Sequence, residues 1–407
     1  MNAVSTDFLQ LIRSYLWGET PRLRRPDWDG LYELARIHNL TPMIYEAAQG
    51  LPAFANASEA VKHAFLESTL QMIVGQQRRT GLLFHIYQKL TDAGLRPLVL
   101  KGLVCRLLYP EPDARVSSDE DLWIAPHEFA ACDRILSENG LTRKVSAVTE
   151  TLLQGAQTVA YTSPYLELEV HLNPFGTQTD LYQRMSNHFP GAFSNAVSLT
   201  IGGTVFYTLQ PTDHYLFLLL HLYKHFLSSG AGIRQVMDLL LFYRQYEAQL
   251  DAERIQETLS YFHLGTFYAA IWEIGREALH IPLPSQGKGL RVQPLLTDLL
   301  ERGAFGRSND VDICGGQYTR SFLSDTDTPV RHPLLRTLFP PVGQLWPAYP
   351  ILLRRPALLP LCWGHRFLRF GKKLLQSGPS LAVKSLRIGK QRALLFQQYG
   401  LFHERNG

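Results

Sequence analysis

The chain has 407 residues, of which 45% are hydrophobic and 19% are charged. This length suits two or three domains, with a core large enough to fold without a disulfide or a metal staple. The sequence shows no zinc-binding spacing, because its four cysteines, Cys105, Cys132, Cys314 and Cys362, form no C-x-x-C pair. It also shows neither a signal-peptide pattern nor a charge-free apolar run long enough to span a membrane. We therefore expect a reduced, cytoplasmic protein without a transmembrane segment.

Charge is unevenly distributed along the chain. From Arg331 onward there are 13 Lys and Arg residues against one acid, Glu404, a net charge of +12 that leaves −8 for the rest. This basic tail has three interpretations. It is a solvated surface, which we prefer, or a surface that attracts an anionic acceptor, or a peripheral contact with an anionic surface such as a membrane. Trp346 and Trp363, interleaved with Leu and Phe, keep the last interpretation open.

Residues 1–94 are predicted to form an N-terminal helical region. Apolar residues recur at helical spacing, and Asp27 is a candidate N-cap for one of the helices. The longest pattern runs from Ala60 to Ala93 and ends at Gly94, with an expected break near Gly75 or Gly81.

Residues 95–210 change pattern and predict a mixed α+β core. A short apolar run at 96–101 is followed by a helical segment at 102–109, and Pro126 opens a further helix that ends at Gly140. The remaining strands are predicted at 119–125, 158–163 and 166–172.

The rest of the chain is predicted to be helical and then irregular. Residues 211–300 form a helical domain, with its strongest patterns in HYLFLLLHLYKHFL and IRQVMDLLLFYRQY. Residues 301–407 form a loop-rich linker and the basic tail. The predicted fold class is therefore α+β, with a small mixed-sheet core between N-terminal and C-terminal helical regions.

Two carboxylates lie on one face of a predicted strand. Because strand residues alternate faces, Asp119 and Asp121 point the same way, about 6–7 Å apart. Such a pair suits the two divalent ions of a phosphoryl-transfer site, and magnesium prefers carboxylate and phosphate oxygens. On this basis we expect Asp121→Asn to relieve repulsion among acids and leave the stability of the metal-free protein equal or higher.

Neighbouring residues extend this candidate site. Lys101-Gly102 joins the apolar run to a helix, where a glycine lets the backbone approach a phosphate and a helix N-terminus favours anions. Arg115 precedes the first Asp by four residues. On a later strand, Glu167, Glu169 and His171 share one face.

The segment LVLKGLVCRLLYPEPDARVSSDEDLWIAPHEFAACDRILSENGL resembles an uncharacterised nucleotidyltransferase-like family of the polymerase-β superfamily. The resemblance is carried by a Leu-Lys-Gly, a Tyr-Pro, an Arg, an Asp-x-Asp-Leu and a later acid-x-His strand. Here these are Lys101-Gly102, Tyr109-Pro110, Arg115, Asp119-Glu120-Asp121-Leu122 and Glu169-Val170-His171. Trp28 to Pro42, the helix of His221 and His225 with Asp238, and the proline-rich 339–360 stretch also resemble the family, so the resemblance covers most of the chain.

The resemblance implies transfer of an NMP group from an NTP, expected to be ATP, to an acceptor hydroxyl or phosphate with release of pyrophosphate. It implies Mg²⁺ or Mn²⁺ held by the catalytic residues Asp119, Asp121 and Glu169. The implied nucleotide-binding residues are Lys101, Gly102, Arg115 and Lys224, and His171, His221 and His225 are further candidates. The acceptor stays open among a peptide or protein, a small metabolite, a sugar and an RNA.

Two residues depart from the family pattern. Glu169 stands where an aspartate is usual, and its longer side chain still reaches a metal ion. Glu120 stands where an aliphatic residue is usual. Because Glu120 should face away from the metal ions, we expect the back of its strand to be partly exposed.

Other functions and simpler roles stay open. The same site could transfer the γ-phosphoryl group, or the domain could bind a nucleotide or a partner without turnover. Trp123 could stack on a base, although core packing is preferred, and Asp238 is expected to pair with Arg234 one turn away. The sequence contains no phosphate-binding G-x-x-x-x-G-K-[ST] loop, which excludes an ordinary P-loop kinase.

Overall fold

Five helices form the N-terminal region of the computed structural model, which describes residues 1–144, 158–176, 179–228, 230–285, 290–303, 339–345, 349, 351–377, 391–392 and 394–401. They are α1 (Ala3–Trp17), α2 (Trp28–Ile37), α3 (Thr41–Ala48), α4 (Pro52–Ala55) and α5 (Glu59–Asp92). The predicted N-cap of α2 is confirmed, because the Asp27 carboxylate accepts a hydrogen bond from the Gly30 amide.

Helix α5 runs without a break through both of its glycines. The prediction of an interruption near Gly75 or Gly81 was therefore wrong. A glycine costs a helix only about 1 kcal/mol relative to alanine, and packing of the apolar face of α5 outweighs that cost. The predicted stop is confirmed, since Gly94 follows the helix with a φ of 84°.

A mixed sheet forms the centre of the fold. Its seven strands are β1 (Leu98–Leu100), β2 (Glu120–Trp123), β3 (Thr142–Arg143), β4 (Thr158–Thr162), β5 (Glu167–His171), β6 (Val197–Ile201) and β7 (Thr204–Thr208). Their order is β3-β4-β5-β2-β1-β7-β6. The β2–β5 and β1–β7 pairs are parallel, and the other pairs are antiparallel. This arrangement confirms the predicted α+β class with a mixed sheet.

The hairpin of β6 and β7 was not predicted from the sequence. Gly202 and Gly203 connect the strands with φ values of 55° and 82°, the positive values that a tight two-residue hairpin turn requires. Strand β7 then pairs with β1, so that β1 becomes an interior strand. The hairpin thereby completes the sheet on the side away from β5.

Further helices follow β1 along the chain. They are α6 (Gly102–Arg106), α7 (Phe129–Glu138), α8 (Asp180–Ser186), α9 (Pro211–Leu227), α10 (Ile233–Tyr246), α11 (Ala252–Tyr261), α12 (Gly265–Ala278), α13 (Gln293–Arg302), α14 (Val342–Leu345), α15 (Ile351–Arg354) and α16 (Leu359–Ser377). The two strongest helical patterns of the sequence correspond to α9 and α10. Helix α6 is shorter than its predicted span of 102–109.

One apolar core extends from α1 through the sheet to α12 and α13, and α9 is buried along most of its length. The division of the chain at residues 94, 210 and 300 therefore stays a prediction. Most of the loop-rich linker and much of the basic tail, including 304–338, 378–390 and 402–407, lie outside the described residues. Within the described part of the chain, none of the helices combines the length and apolarity needed to cross a bilayer.

Candidate active site and metal centre

Parallel pairing of β2 with β5 brings together the two acidic motifs of the sequence. Asp121 lies opposite Glu169, and Trp123 lies opposite His171. Ligand atoms of Asp121, Glu169 and His171 lie within 4.8 Å of one another. Two carboxylates and an imidazole at this spacing form a donor set that suits a divalent cation.

Asp121 is the most strongly held member of this cluster. It is 3% exposed, and its Oδ1 accepts from His171 Nε2 at 2.8 Å and from Lys101 Nζ at 2.9 Å. Burial acts to raise the pKa of Asp121, but the Lys101 ammonium and the His171 hydrogen bond outweigh burial and hold the pKa below its ordinary value. The carboxylate is therefore charged throughout the physiological pH range.

Lys101 connects β1 to α6 in an unusual backbone conformation. Its φ is 35°, a value that costs a residue with a side chain and persists where surrounding contacts enforce it. Burial acts to lower the pKa of Lys101, but the carboxylates of Asp121 and Asp119 outweigh it and raise the pKa. The ammonium also lies 3.4 Å from His221 Nε2. Lys101 thus links the acidic cluster to α9.

The other two acids of the site are more accessible than Asp121. Asp119 precedes β2 directly and is partly exposed. The Glu169 side chain is 38% exposed, and burial, followed by the charge of Asp121, raises its pKa. Glu167, two residues before Glu169, is exposed and accepts from Lys144 at 2.7 Å.

Behind the site, a buried ion pair occupies the opposite face of β2. Glu120 is 1% exposed and accepts from Arg106 at 2.9 Å. The prediction that this face of the strand is partly exposed was wrong. Arg106 supplies a buried partner from α6, which lets an acid replace an aliphatic residue at this position.

Gly102 packs directly against this ion pair and leaves no room for a side chain. A Cβ added there would lie 2.5 Å from Glu120 Oε2 and 3.2 Å from Ser117 Oγ. Close packing against Glu120 is therefore sufficient to account for the glycine.

We expect Gly102→Ala to destabilise the fold by about 1–3 kcal/mol, because Glu120 must shift within a buried network. Thermal or denaturant unfolding measures this loss. Gly75→Ala in α5 is the matched control, since its added Cβ meets nothing within 4 Å and should stabilise the helix slightly. Equal melting temperatures for Gly102→Ala and wild type would contradict the prediction.

Arg115 is bound by a residue from a different part of the chain. Its Nη2 and Nε donate to the two oxygens of Asp238 at 2.6 and 3.1 Å, and Tyr109 donates to the same carboxylate at 2.7 Å. Burial opposes the charge of Arg115, but Asp238 outweighs it and raises the pKa. The predicted Asp238–Arg234 pair was therefore wrong, because Arg115 and Tyr109 already bind both oxygens of the Asp238 carboxylate.

A polar cavity of about 120 Å³ opens beside the acidic cluster. It lies between the Asp-x-Asp segment, α9 and the first turn of α10. Its lining residues are Lys101, Gly102, Arg115, Ser117, Asp119, Asp121, Leu218, His221, Leu222, His225, Arg234, Gln235 and Asp238.

Most, but not all, of the candidate residues from the sequence line this cavity or the cluster. His221 and His225 line the cavity with ring centroids 4.4 Å apart. Lys224 does not line it, and its ammonium lies 5.4 Å from the Tyr182 ring centroid. Trp123 packs edge-on against Phe193, as the preferred core role predicted.

The sequence analysis missed four polar residues of the cavity, Ser117, Arg234, Gln235 and Asp238. Arg234 and Gln235 open α10 directly after a glycine-containing loop. Polar and basic residues at a helix start were the available signal. Arg234 was set aside because Asp238, one turn away, offered an apparent partner.

Comparisons with known proteins identify the family of this chain. A family described as "Uncharacterised nucleotidyltransferase" matches residues 24–279. A solved structure, an antigenic nucleotidyltransferase-like protein from Paracoccidioides brasiliensis, is 14% identical, with a TM-score of 0.32 over 50% of this chain and 93% of that chain. That likeness is too distant to support an argument about the site. A search among curated proteins found no match. Because the family match covers more than half of the residues, this chain belongs to the uncharacterised nucleotidyltransferase family.

Proposed function

We propose that this protein transfers an NMP group from an NTP to an acceptor hydroxyl or phosphate and releases pyrophosphate. The observation that supports it best is the register of β2 and β5, which sets Glu169 opposite Asp121 beside a cavity lined by basic side chains. Family membership supports the reaction class.

The residues present fit a divalent cation, Mg²⁺ or Mn²⁺. Asp121 and Glu169 offer carboxylate oxygens, and the Nε2 of His171 lies 2.8 Å from Asp121 Oδ1 and 3.8 Å from Glu169 Oε2. In this proposal Asp119, Asp121 and Glu169 hold the metal, with His171 as an additional ligand or as the group that orients Asp121. A bound cation would supply positive charge against phosphate oxygens.

Lys101 and Arg115 are the proposed cations for the phosphates. Lys101 already contacts Asp121, so its ammonium is held at the border between the acids and the cavity. Arg115 is held by Asp238, and its Nη1 donates to Ser117 Oγ at 2.7 Å. These contacts fix both side chains in advance, which lowers the cost of ordering them around a substrate.

Three of the remaining candidates are assigned smaller roles. His221 and His225 are proposed to form the α9 wall of the nucleotide site. Gly102 would offer its backbone, and Lys224, whose ammonium lies over Tyr182, stays a prediction as a nucleotide ligand. ATP as the preferred NTP, the class of acceptor, the contact of the basic tail with an anionic surface and the cytoplasmic location also stay predictions.

Incubation with labelled NTPs tests this function. The protein is mixed with Mg²⁺, cell extract and NTPs that carry the label at the α-phosphate or at the γ-phosphate. We expect label from the α-position alone to appear in a product, with release of pyrophosphate. Transfer of γ-label would indicate a phosphotransferase that uses the same site. Saturable NTP binding without transfer of either label would indicate a module without turnover.

A further inference from the structure

Arg234 is a buried cation in the wall of the cavity. Its side chain is 7% exposed, and no carboxylate among the described residues forms a salt bridge with it. Its Nη1 donates to the Val116 carbonyl, and its Nε has no partner among the described residues. Burial and the nearby charge of Arg115 lower the pKa of Arg234 to about 10, so it still carries its charge at neutral pH.

Burying an unpaired charge is costly, and proteins normally pair such a group or leave it in water. The nearest acid along α10, Asp238, is already engaged by Arg115 and Tyr109. The other ion pair of the cavity, Lys101 with Asp121, is also internally balanced. Arg234 therefore has no direct ion-pair partner among the described residues, although the charges of Asp238 and Asp119 act to raise its pKa.

The groups around Arg234 are suited to an anion. The Nδ1 atoms of His221 and His225 are buried and lack a partner within the described part of the chain. Arg234 and Gln235 lie in the first turn of the 14-residue helix α10, whose N-terminus carries partial positive charge. An anion in the cavity would thus lie close to a guanidinium and to the N-terminus of α10, in a space that the His221 and His225 side chains also line.

We propose that Arg234 is a phosphate-binding residue and that this end of the cavity holds the pyrophosphate portion of the bound NTP. The inference rests on the proposed function, because it assigns a subsite within the same nucleotide site. In the proposed function Asp119 and Asp121 would hold the metal, and Arg234 on α10 lines the same cavity as these two acids. A cavity of about 120 Å³ suits a compact polyanion better than a nucleoside, since pockets for drug-sized ligands are roughly 300–1,000 Å³.

Binding of inorganic pyrophosphate with Mg²⁺ to the full chain tests the proposal, by calorimetry and by the melting shift that the ligand produces. We expect Arg234→Gln to weaken binding at least about tenfold and Arg234→Lys, which keeps the charge without the planar fork, to weaken it less. Arg244→Gln is the matched control, because Arg244 is an exposed residue of the same helix that lies over Trp17. It should bind like wild type.

A ligand-binding role and a structural role give different results. If Arg234 serves a ligand, Arg234→Gln should melt at an equal or higher temperature than wild type without pyrophosphate, and the ligand-induced shift alone should shrink. A lower melting temperature with an unchanged pyrophosphate affinity would overturn the proposal, as would wild-type affinity in both Arg234 variants.

The subsite and the proposed function can also fail separately. Pyrophosphate binding that depends on Arg234, in a protein that transfers no nucleotide, would retain the subsite and reject the transfer reaction. Nucleotide transfer with full activity in Arg234→Gln would retain the reaction and reject the subsite.

Discussion

Asp121→Asn is expected to reduce nucleotidyl transfer by at least about 10³-fold, because the proposed metal site loses its central charged ligand. It is also expected to lower the stability of the metal-free protein by about 1–3 kcal/mol. The sequence had suggested the opposite change in stability, since acids close together repel each other. Lys101 and His171 both bind Asp121 Oδ1, so removing its charge deprives the largely buried Lys101 ammonium of its direct ion-pair partner.

Initial rates with α-labelled NTP and unfolding curves in the presence of a chelator measure the two effects. The double variant Lys101→Met with Asp121→Asn removes both charges and should recover part of the lost stability without recovering activity. Full activity in Asp121→Asn with a normal melting curve would exclude the proposed site. A melting temperature of Asp121→Asn above that of wild type would show instead that repulsion among the acids dominates at this position.

Glu169→Gln is expected to slow transfer on the order of 10²-fold or more and to change NTP binding with Mg²⁺ by only a few-fold. Glu169 is the most exposed acid of the cluster with Asp121 and His171, and its proposed role is to complete the metal site on the side of the attacking group. Loss of its charge should therefore affect kcat more than nucleotide affinity. Single-turnover rates and equilibrium binding of the nucleotide separate the two quantities.

Glu167→Gln is the matched control on the same strand. Its carboxylate is exposed and pairs with Lys144, and exposed pairs contribute about 0–1 kcal/mol. We expect transfer rates within about twofold of wild type for this variant, since it lies outside the cavity and the acidic cluster. If Glu169→Gln were fully active and Glu167→Gln inactive, the third acid would be Glu167, and its assignment to Glu169 would be wrong.

The parts of the site that could be predicted from the sequence are those coded by local spacing. Alternation along β2 and β5 predicted which acids share a face, and in β5 the apolar Leu168 and Val170 predicted the buried face, whereas β2 is buried on both faces. The expectation that the acids of β2 and β5 act together came from the resemblance to the nucleotidyltransferase-like family. The register that sets Asp121 opposite Glu169 is a backbone property that spacing alone does not specify.

The parts that could not be predicted depend on partners far away in the chain. Arg115 and Asp238 are 123 residues apart, and their pairing left Arg234, the sequence neighbour of Asp238, without its expected partner. Arg106 likewise turned Glu120 from an expected exposed acid into a buried one. Tertiary packing determines which charged residues of different elements pair with each other, and local periodicity does not encode this packing.

Helix α9, which lines the cavity, is buried along most of its length. This helix packs its length into the apolar core and presents one polar edge, with His221 and His225, to the cavity. A wall of this kind is anchored by the same contacts that hold the protein together, so shifting it would require disrupting the core. The backbone of α9 is therefore expected to keep its position whether a substrate is present or absent. A nucleotide that enters spends little of its binding energy on reorganising this wall, and specificity at this edge comes from fixed shape.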